Sequence, residues 1–353
     1  MSDESSNDLT GAAHDLAIAG YKAMPDRKSD EQGAIGSDTA SLREAAEKIS
    51  EQSGDVVVRQ YRDAEGKPAA ANEAVTLSRA SRDYAAAVAA EKLIAGRPGV
   101  IFHLAAIVSG EAELDFDKGY RINLDGTRML LDAIRLAGGG YKPRVVFTSS
   151  IAVFGAPFPD AIGDEFFHTP LLSYGTQKAI GELLLADYSR RGFLDGIGIR
   201  LPTICIRPGL PNKAASGFFS NILREPLAGK EAILPVSEDV RHWHATPRSA
   251  VGFLLHAGTM DLEKVGPRRN LTMPGFSATV GEQIAALKRV AGEKVAARIK
   301  HVPDPFIVGI VGGWPRNFEA KRARELGFTT EEKTFDDIIR IHIEDELGGN
   351  FVA

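Results

Sequence analysis

The sequence has very little cysteine, no long apolar run and no block of like charge. Cys205 is the one cysteine among 353 residues, so an internal disulfide is excluded, which fits a reducing compartment. Its apolar neighbours, Ile204 and Ile206, favour a buried small hydrophobe over a nucleophile. No apolar stretch approaches the roughly 18–20 residues of a membrane span, and the acidic, polar N-terminus is unlike a secretory signal. We therefore predict a soluble cytoplasmic protein with no membrane partner.

Charge is moderate and spread along the chain. The formal net charge is −5, and residues of both signs are interspersed. No basic cluster is present, so we predict no nucleic-acid partner. A small anionic substrate needs only a local positive pocket, and the overall charge leaves that possibility open. The hydrophobic share of 44% is enough for a large core.

Short apolar runs alternate with helical stretches through the middle of the chain. Buried strands are predicted over Val100–Leu104, Arg144–Ser149 and Gly196–Ile206, and helices over Phe116–Ala137 and Tyr174–Arg191. Strands that alternate with helices predict an α/β fold, a Rossmann-like doubly wound parallel sheet covered on both faces.

The composition changes twice along the chain. Residues 1–83 are rich in Ala, Ser, Asp, Glu and Lys, and we interpret them as an atypical N-terminal segment. Residues 84–208 are predicted to form a Rossmann-like cofactor-binding and catalytic domain. Shorter elements and loops rich in Gly, Pro and Asn follow. Residues 209–353 are therefore predicted to form mainly a smaller C-terminal substrate lobe, with some elements returning to the first domain.

A tyrosine and a lysine stand four residues apart, at Tyr174 and Lys178. On a helix this spacing places both on one face. A nearby ammonium favours the phenolate and lowers a tyrosine pKa from ~10 by roughly 1–3 units. Tyr174 is then suited to take the proton of a substrate hydroxyl. Because the bare pair often arises by chance, the alternative is an aromatic packed beside an exposed lysine.

Two serines end one predicted strand, where open α/β sheets bind ligands. Ser150 is the candidate to hydrogen-bond the reacting oxygen and to stabilise its developing charge. The alternative role for a serine at this position is to cap a helix N-terminus. We rank Ser150 above Ser149 as the catalytic serine and assign the capping role to Ser149. Asn123, on a following helix, is a candidate to hold a water near Lys178. Its alternative is a satisfied core amide.

These motifs, in this order and spacing, resemble those of the extended short-chain dehydrogenases/reductases, the NAD-dependent epimerase/dehydratase family. The resemblance implies NAD as the cofactor and catalytic roles for Ser150, Tyr174 and Lys178. It also implies cofactor contacts from Tyr174, Lys178 and four further residues. The segments that carry the resemblance are His103–Ala106, Asn123–Thr127, Ser149–Gly155 and Tyr174–Lys178. The four further residues are Ala105, Ala106, Pro202 and Thr203.

Within this family the chain looks most like dehydrogenases of a short sugar acid, which oxidise C2 to a 2-oxo acid. The similarity implies a small-molecule sugar-acid substrate. Arg241 is the candidate for its carboxylate, because a guanidinium can form two parallel hydrogen bonds with it. The segments concerned are Ala105–Glu111, Arg200–Gly209, Ala215–Asn221, Arg241–His244 and His342–Gly349.

Several polar side chains are candidates for the remaining substrate contacts. Ser109, Ser150, Asn212 and Ser216 are the candidates for its hydroxyls, and a turn or surface role is the alternative for each. His242 and His244 have no evident third ligand, so we expect a pocket wall and no metal site. Related enzymes are often dimers through the two long helices, which makes a homodimer possible.

One family feature is missing. The family opens with an apolar strand and a Gly-x-x-Gly-x-x-Gly turn that receives the pyrophosphate. Here Gly11-Ala12-Ala13-His14 follows a polar segment, and His14 replaces the second glycine. We hypothesise that residues 1–83 are a replaced or frame-shifted segment. The alternatives to the dehydrogenase are therefore a nucleotide-sugar epimerase or dehydratase, and a catalytically impaired protein on the same scaffold.

Overall fold

The computed structural model describes residues 88–209 and 214–353. The chain divides into two units, Met1–Arg97 and Pro98–Ala353. In the described part of the first unit, residues 88–95 are helical. The Gly11–His14 segment and Asn212 lie outside the described residues.

The described part of the second unit contains nine strands and eleven α-helices. The strands are β1 (Val100–His103), β2 (Arg144–Ser150), β3 (Asp195–Leu201), β4 (Thr203–Ile204), β5 (Ala232–Leu234), β6 (Arg241–Ala245), β7 (Asn270–Thr272), β8 (Phe276–Thr279) and β9 (Ile299–His301). The helices are α1 (Ser109–Leu114), α2 (Phe116–Gly119), α3 (Gly126–Leu136), α4 (Ser173–Arg190), α5 (Gly217–Leu227), α6 (Pro247–Thr259), α7 (Val280–Ala291), α8 (Glu293–Ala296), α9 (Pro305–Gly312), α10 (Lys321–Glu325) and α11 (Phe335–Leu347).

A parallel sheet with the order β1-β2-β3-β7 forms the centre of this unit. Its middle strands are apolar because both faces are covered: Val146, Ile197 and Ile199 are fully buried. The predicted α/β fold with a parallel sheet is confirmed. One predicted strand is divided in two, since β3 stops before Pro202 and the chain resumes as β4 in a second sheet. Proline has no N–H to donate to a ladder.

The predicted helix over Phe116–Ala137 is also divided. A π-helical turn at Tyr120–Asp125 separates α2 from α3. Such turns often mark functional sites. The second long predicted helix is continuous as α4 and differs from the prediction by one residue at each end.

A second sheet has the order β4-β6-β8, and β6 runs antiparallel to β8. It packs with α5, α7 and α11 around a separate apolar core that includes Phe219, Leu287 and Ile339. The predicted division of the chain at residue 208 stays a prediction. In the described part of the chain, every helix is too short or too polar to cross a bilayer.

Candidate active site

A cleft of about 400 Å³ opens at the carboxyl ends of β2 and β3. This is the edge where open α/β sheets bind ligands. Residues predicted for catalysis, for the cofactor and for the substrate meet in its walls. They are Ala106, Ser109, Ser150, Tyr174, Lys178, Pro202, Thr203 and Ser216. Ala105, Asn123 and Arg241 are not among the described residues that line the cleft.

Close backbone packing brings Tyr174 to Ser150. The turn Ile151–Val153 follows β2, and the Ser150 hydroxyl accepts a hydrogen bond of 3.1 Å from the Ala152 N–H. The first turn of α4 lies against this turn at Gly175, where a Cβ would stand 2.1 Å from the Ala152 carbonyl oxygen. Only glycine permits this approach. The Tyr174 phenol and the Ser150 side chain consequently line the same cleft, and interaction with Ser150 acts to lower the pKa of Tyr174.

Lys178 lies one helical turn after Tyr174 and is only 3% exposed. Its Nζ donates a hydrogen bond of 2.7 Å to the Thr148 carbonyl oxygen. The same atom is 4.8 Å from the Phe147 ring centre and 5.8 Å from the Tyr174 ring centre. A lysine head has three N–H donors, so donors remain for a ligand in the cleft.

Burial controls the proton affinity of both groups. It raises the pKa of Tyr174 to about 12, although the interaction with Ser150 and the charge of Arg207 act in the opposite direction. It lowers the pKa of Lys178 to about 8, against the charge of Glu182, which acts to raise it. The expected lowering of the tyrosine pKa by Lys178 is therefore not found. Desolvation of the phenolate outweighs nearby positive charge.

A buried ionic cluster, not predicted from the sequence, adjoins the cleft at Ser149. Glu182 is fully buried on α4, and Arg200 on β3 donates to both of its oxygens, at 2.7–3.2 Å. Ser149 donates to the same carboxylate at 2.5 Å, and His168 Nε2 lies 3.0 Å from it. Burial alone would raise the pKa of Glu182, but Arg200 and His168 lower it to about 2.

Strand register explains this cluster. Ser149 of β2 pairs with Arg200 of β3, so both side chains leave the sheet on the same side. Successive residues of a strand point to opposite sides, so Ser150 leaves the strand on the other side, and both serines reach the cleft wall. The ranking of Ser150 above Ser149 for catalysis stays a prediction. The sequence signal for Glu182 was its helical spacing alone. It follows Lys178 by four residues, which places the two on one face of a helix.

Asn123 braces the loop after β1, and His103 at the end of β1 contacts α3. The Asn123 side chain accepts from the Ile107 N–H at 2.8 Å and donates to the Ile107 oxygen and to Gln177 at 3.1 and 2.8 Å. This is the satisfied core amide given above as the alternative. His103 Nε2 lies 2.8 Å from Thr127 Oγ1. Burial and the charge of Lys178 lower the pKa of His103 to about 4.

The two arginines near the predicted substrate site differ in their surroundings. Arg241 forms an ion pair with Glu282 at 3.4 Å and reaches the Ser277 hydroxyl at 3.4 Å. Arg207 lines the cleft and donates to the Ser216 hydroxyl at 3.3 Å. His242 also lines the cleft, as a wall residue, and Trp314 stands beside it. The described residues include no group of three or more His, Cys, Asp or Glu side chains that could hold a metal ion.

The described walls fit the nicotinamide and ribose end of a dinucleotide. Ala106 and Pro202 are small and leave room for a flat ring, while Lys178 supplies free donors for ribose hydroxyls. No acidic side chain lines this space among the described residues. The segment that would receive the pyrophosphate falls outside the described residues.

Comparison with known proteins identifies the family. The model of the NAD dependent epimerase/dehydratase family matches residues 33–245. The chain is 50% identical to a D-erythronate dehydrogenase of Cupriavidus necator over 247 residues, which are 70% of this chain and 75% of the relative. It is 44% identical to a D-erythronate dehydrogenase of Haemophilus influenzae over 257 residues, 73% of this chain and 81% of the relative.

One solved structure is closely similar. It is described as the nucleoside-diphosphate-sugar epimerase from Agrobacterium tumefaciens, and it aligns with a TM-score of 0.71 and 75% identity over 74% of this chain and 77% of that chain. The curated relatives are dehydrogenases, and the family uses a nicotinamide cofactor. The resemblance drawn from the sequence motifs is confirmed, and the chain belongs to the NAD-dependent epimerase/dehydratase family.

Proposed function

We propose that the protein is an NAD-dependent dehydrogenase that oxidises D-erythronate at C2 to the 2-oxo acid. The observation that carries the proposal is the convergence of Ser150, Tyr174 and Lys178 in the walls of one cleft. Two relatives at 50% and 44% identity are named for this activity, which supports the choice of substrate.

The chemistry follows from these three side chains. The C2 hydroxyl of the substrate binds between the hydroxyls of Ser150 and Tyr174. Burial holds the pKa of Tyr174 at about 12, so the phenolate form requires further positive charge beside it. As phenolate, Tyr174 takes the hydroxyl proton, while the C2 hydrogen departs with its electron pair and leaves a C=O group. Ser150 donates a hydrogen bond to the oxygen and stabilises its partial charge. Lys178 holds positive charge on the helix face next to the phenolate.

Ala106, Pro202 and Thr203, with Tyr174 and Lys178, are proposed to hold the nicotinamide end of NAD. When bound, NAD would accept the hydride, and its positive ring would favour the phenolate. Ala105 is the exposed neighbour of this group. The match to the family model begins at residue 33, which restricts the hypothesis of a replaced segment within residues 1–83 to the part before that residue. A titration with NAD tests it. Micromolar affinity would contradict it.

The substitution Tyr174→Phe tests the proposed base. Removal of a general base lowers kcat by roughly 10²- to 10⁴-fold, and the reduced nicotinamide formed from NAD and D-erythronate is followed by absorbance. Tyr188→Phe is the matched control, because this tyrosine lies on the same helix and bonds Asp132 at 2.8 Å, away from the cleft. Equal rates for the two variants would refute the assignment of Tyr174.

Nucleotide-sugar epimerisation is the second candidate function, favoured by the description of the Agrobacterium structure. Release of free NADH with D-erythronate, and none with UDP-glucose, separates the dehydrogenase from the epimerase. Turnover of UDP-glucose without net NADH would support the epimerase. Absence of both reactions at high protein concentration would support a catalytically impaired protein.

A further inference from the structure

The charged residues of the cleft are of one sign. Among the described residues that line it, Lys178 and Arg207 are cationic, and none is Asp or Glu. Lys178 donates to the Thr148 carbonyl oxygen and lies over the face of Phe147, and its remaining donors are those proposed above for the cofactor ribose. Arg207 is the cation that remains, and an anionic ligand is the natural partner for such a cleft.

Arg207 has no carboxylate partner within the described part of the chain, unlike other arginines of this unit. Arg200 pairs with Glu182 at 2.7 Å, Arg224 with Glu225 at 2.9 Å, and Arg241 with Glu282 at 3.4 Å. Arg207 is half-buried, and its side chain donates to the Ser216 hydroxyl at 3.3 Å. A desolvated guanidinium without a counter-charge is unfavourable, and a bound anion relieves that penalty.

The backbone of Arg207 is held firmly. Its N–H donates to Ser220 Oγ at 3.1 Å, and its carbonyl oxygen accepts from Arg224 at 2.8 Å. Its charge also lowers the proton affinity of Tyr174, which places the two groups within electrostatic range. A pre-positioned guanidinium near the proton-transfer group matches a substrate whose carboxylate is bonded to the reacting carbon.

A second unsatisfied group lines the same cleft. The indole N–H of Trp314 is buried, and it has no hydrogen-bond partner in the described part of the chain. Buried donors are nearly always paired, so an unpaired donor in a cleft wall indicates a missing acceptor. A carboxylate or hydroxyl oxygen of a polyhydroxy acid is such an acceptor.

We propose that Arg207 binds the carboxylate of a 2-hydroxy acid in this cleft, with the Trp314 indole N–H as a further donor. The inference rests on the proposed function and replaces Arg241, which the sequence suggested for this role, with Arg207. Arg241 is engaged by Glu282 and Ser277 and is not among the described lining residues. The protein would then select substrates in which a carboxylate is bonded to the carbon that is oxidised.

The test compares Arg207→Gln and Arg207→Lys with the matched control Arg241→Gln. Calorimetric titration with D-erythronate measures binding, and NADH formation measures turnover. Loss of one partner of a buried charged pair predicts roughly 30-fold or greater loss of affinity for Arg207→Gln. Arg207→Lys keeps the charge and recovers part of the affinity. Arg241→Gln is expected to stay within about threefold of wild type, since exposed ion pairs contribute little.

An uncharged analogue of the substrate gives a ratio of rates that does not depend on the fraction of the variant that is folded. Wild type is expected to prefer D-erythronate over its neutral amide by roughly 100-fold in kcat/KM, and Arg207→Gln is expected to lose most of that preference. An unchanged preference, or a larger loss in Arg241→Gln, overturns the inference while the dehydrogenase proposal stands. Binding through Arg207 without NADH formation upholds the inference and overturns the proposed function. Wild type that does not bind the acid overturns the inference.

Discussion

Replacing Glu182 with glutamine removes the charge at the centre of the buried cluster. Arg200 is 7% exposed and Glu182 is fully buried, so the guanidinium would keep its charge without a counter-ion. The pKa of Glu182 is about 2 against an ordinary 4.5, which corresponds to about 3 kcal/mol at 1.36 kcal/mol per pKa unit. Breaking a buried pair from one side usually costs about 3–5 kcal/mol. We therefore expect Glu182→Gln to lower the free energy of unfolding by about 3–5 kcal/mol.

Urea unfolding at pH 7 measures this loss. Asp187→Asn is the matched control, because Asp187 lies on the same helix and pairs with Arg190 at 2.6 Å, with both side chains more than half exposed. Its loss is expected to stay below about 0.5 kcal/mol. A loss below about 1 kcal/mol for Glu182→Gln would show that the cluster does not stabilise the fold.

The pH dependence of the free energy of unfolding provides an independent check that the charge of Glu182 stabilises the fold. The folded-state pKa of Glu182 lies below its unfolded value, so the contribution is complete above a pH of about 4.5 and is lost as the pH falls toward 2. The difference between wild type and Glu182→Gln should shrink across that window. A constant difference would mean that the lost stability comes from packing and not from charge.

Two further predictions concern close packing and buried histidine. Gly175→Ala should lower kcat more than tenfold, because its Cβ would stand 2.1 Å from the Ala152 oxygen. Gly252→Ala is the control and should leave kcat unchanged, because no atom lies within 4 Å of the added Cβ. Equal rates for the two variants would refute the packing argument. Burial lowers the pKa of His103 and of His242 to about 4, so stability should fall as the pH drops from 6.5 to 4. His242→Gln should reduce the slope of unfolding free energy against pH by about 1.4 kcal/mol per pH unit there, and an unchanged slope would contradict the assignment.

The local parts of the site were predictable from the sequence. Tyr174 and Lys178 share a helix, and Ser150 ends an apolar strand, so periodicity alone brings each to the cleft edge. Pro202 was also identified from the sequence as a cofactor contact, although the break that it makes in the predicted strand Gly196–Ile206 was not predicted. The parallel sheet followed from the alternation of strands and helices, and structure and family comparison confirm it.

The long-range parts were not predictable. Glu182 and Arg200 are 18 residues apart, and their contact depends on how α4 crosses β3. Arg241 was the carboxylate candidate from the sequence, and neither its ion pair with Glu282 nor the place of Arg207 in the cleft wall could be read from the sequence. Asn123 satisfied the family pattern, but its hydrogen bonds to Ile107 and Gln177 required the folded chain.

The adjacent serines at the end of β2 have separate and non-exchangeable tasks. Ser149 is tied to Glu182 from one side of the strand, while Ser150 faces Tyr174 from the other. A slip of one position in the pairing of β2 with β3 would turn each hydroxyl to the opposite side. Insertion or deletion of a single residue just before β2 would thus exchange an anchoring hydroxyl for a reactive one, even though the local sequence would still read Ser-Ser.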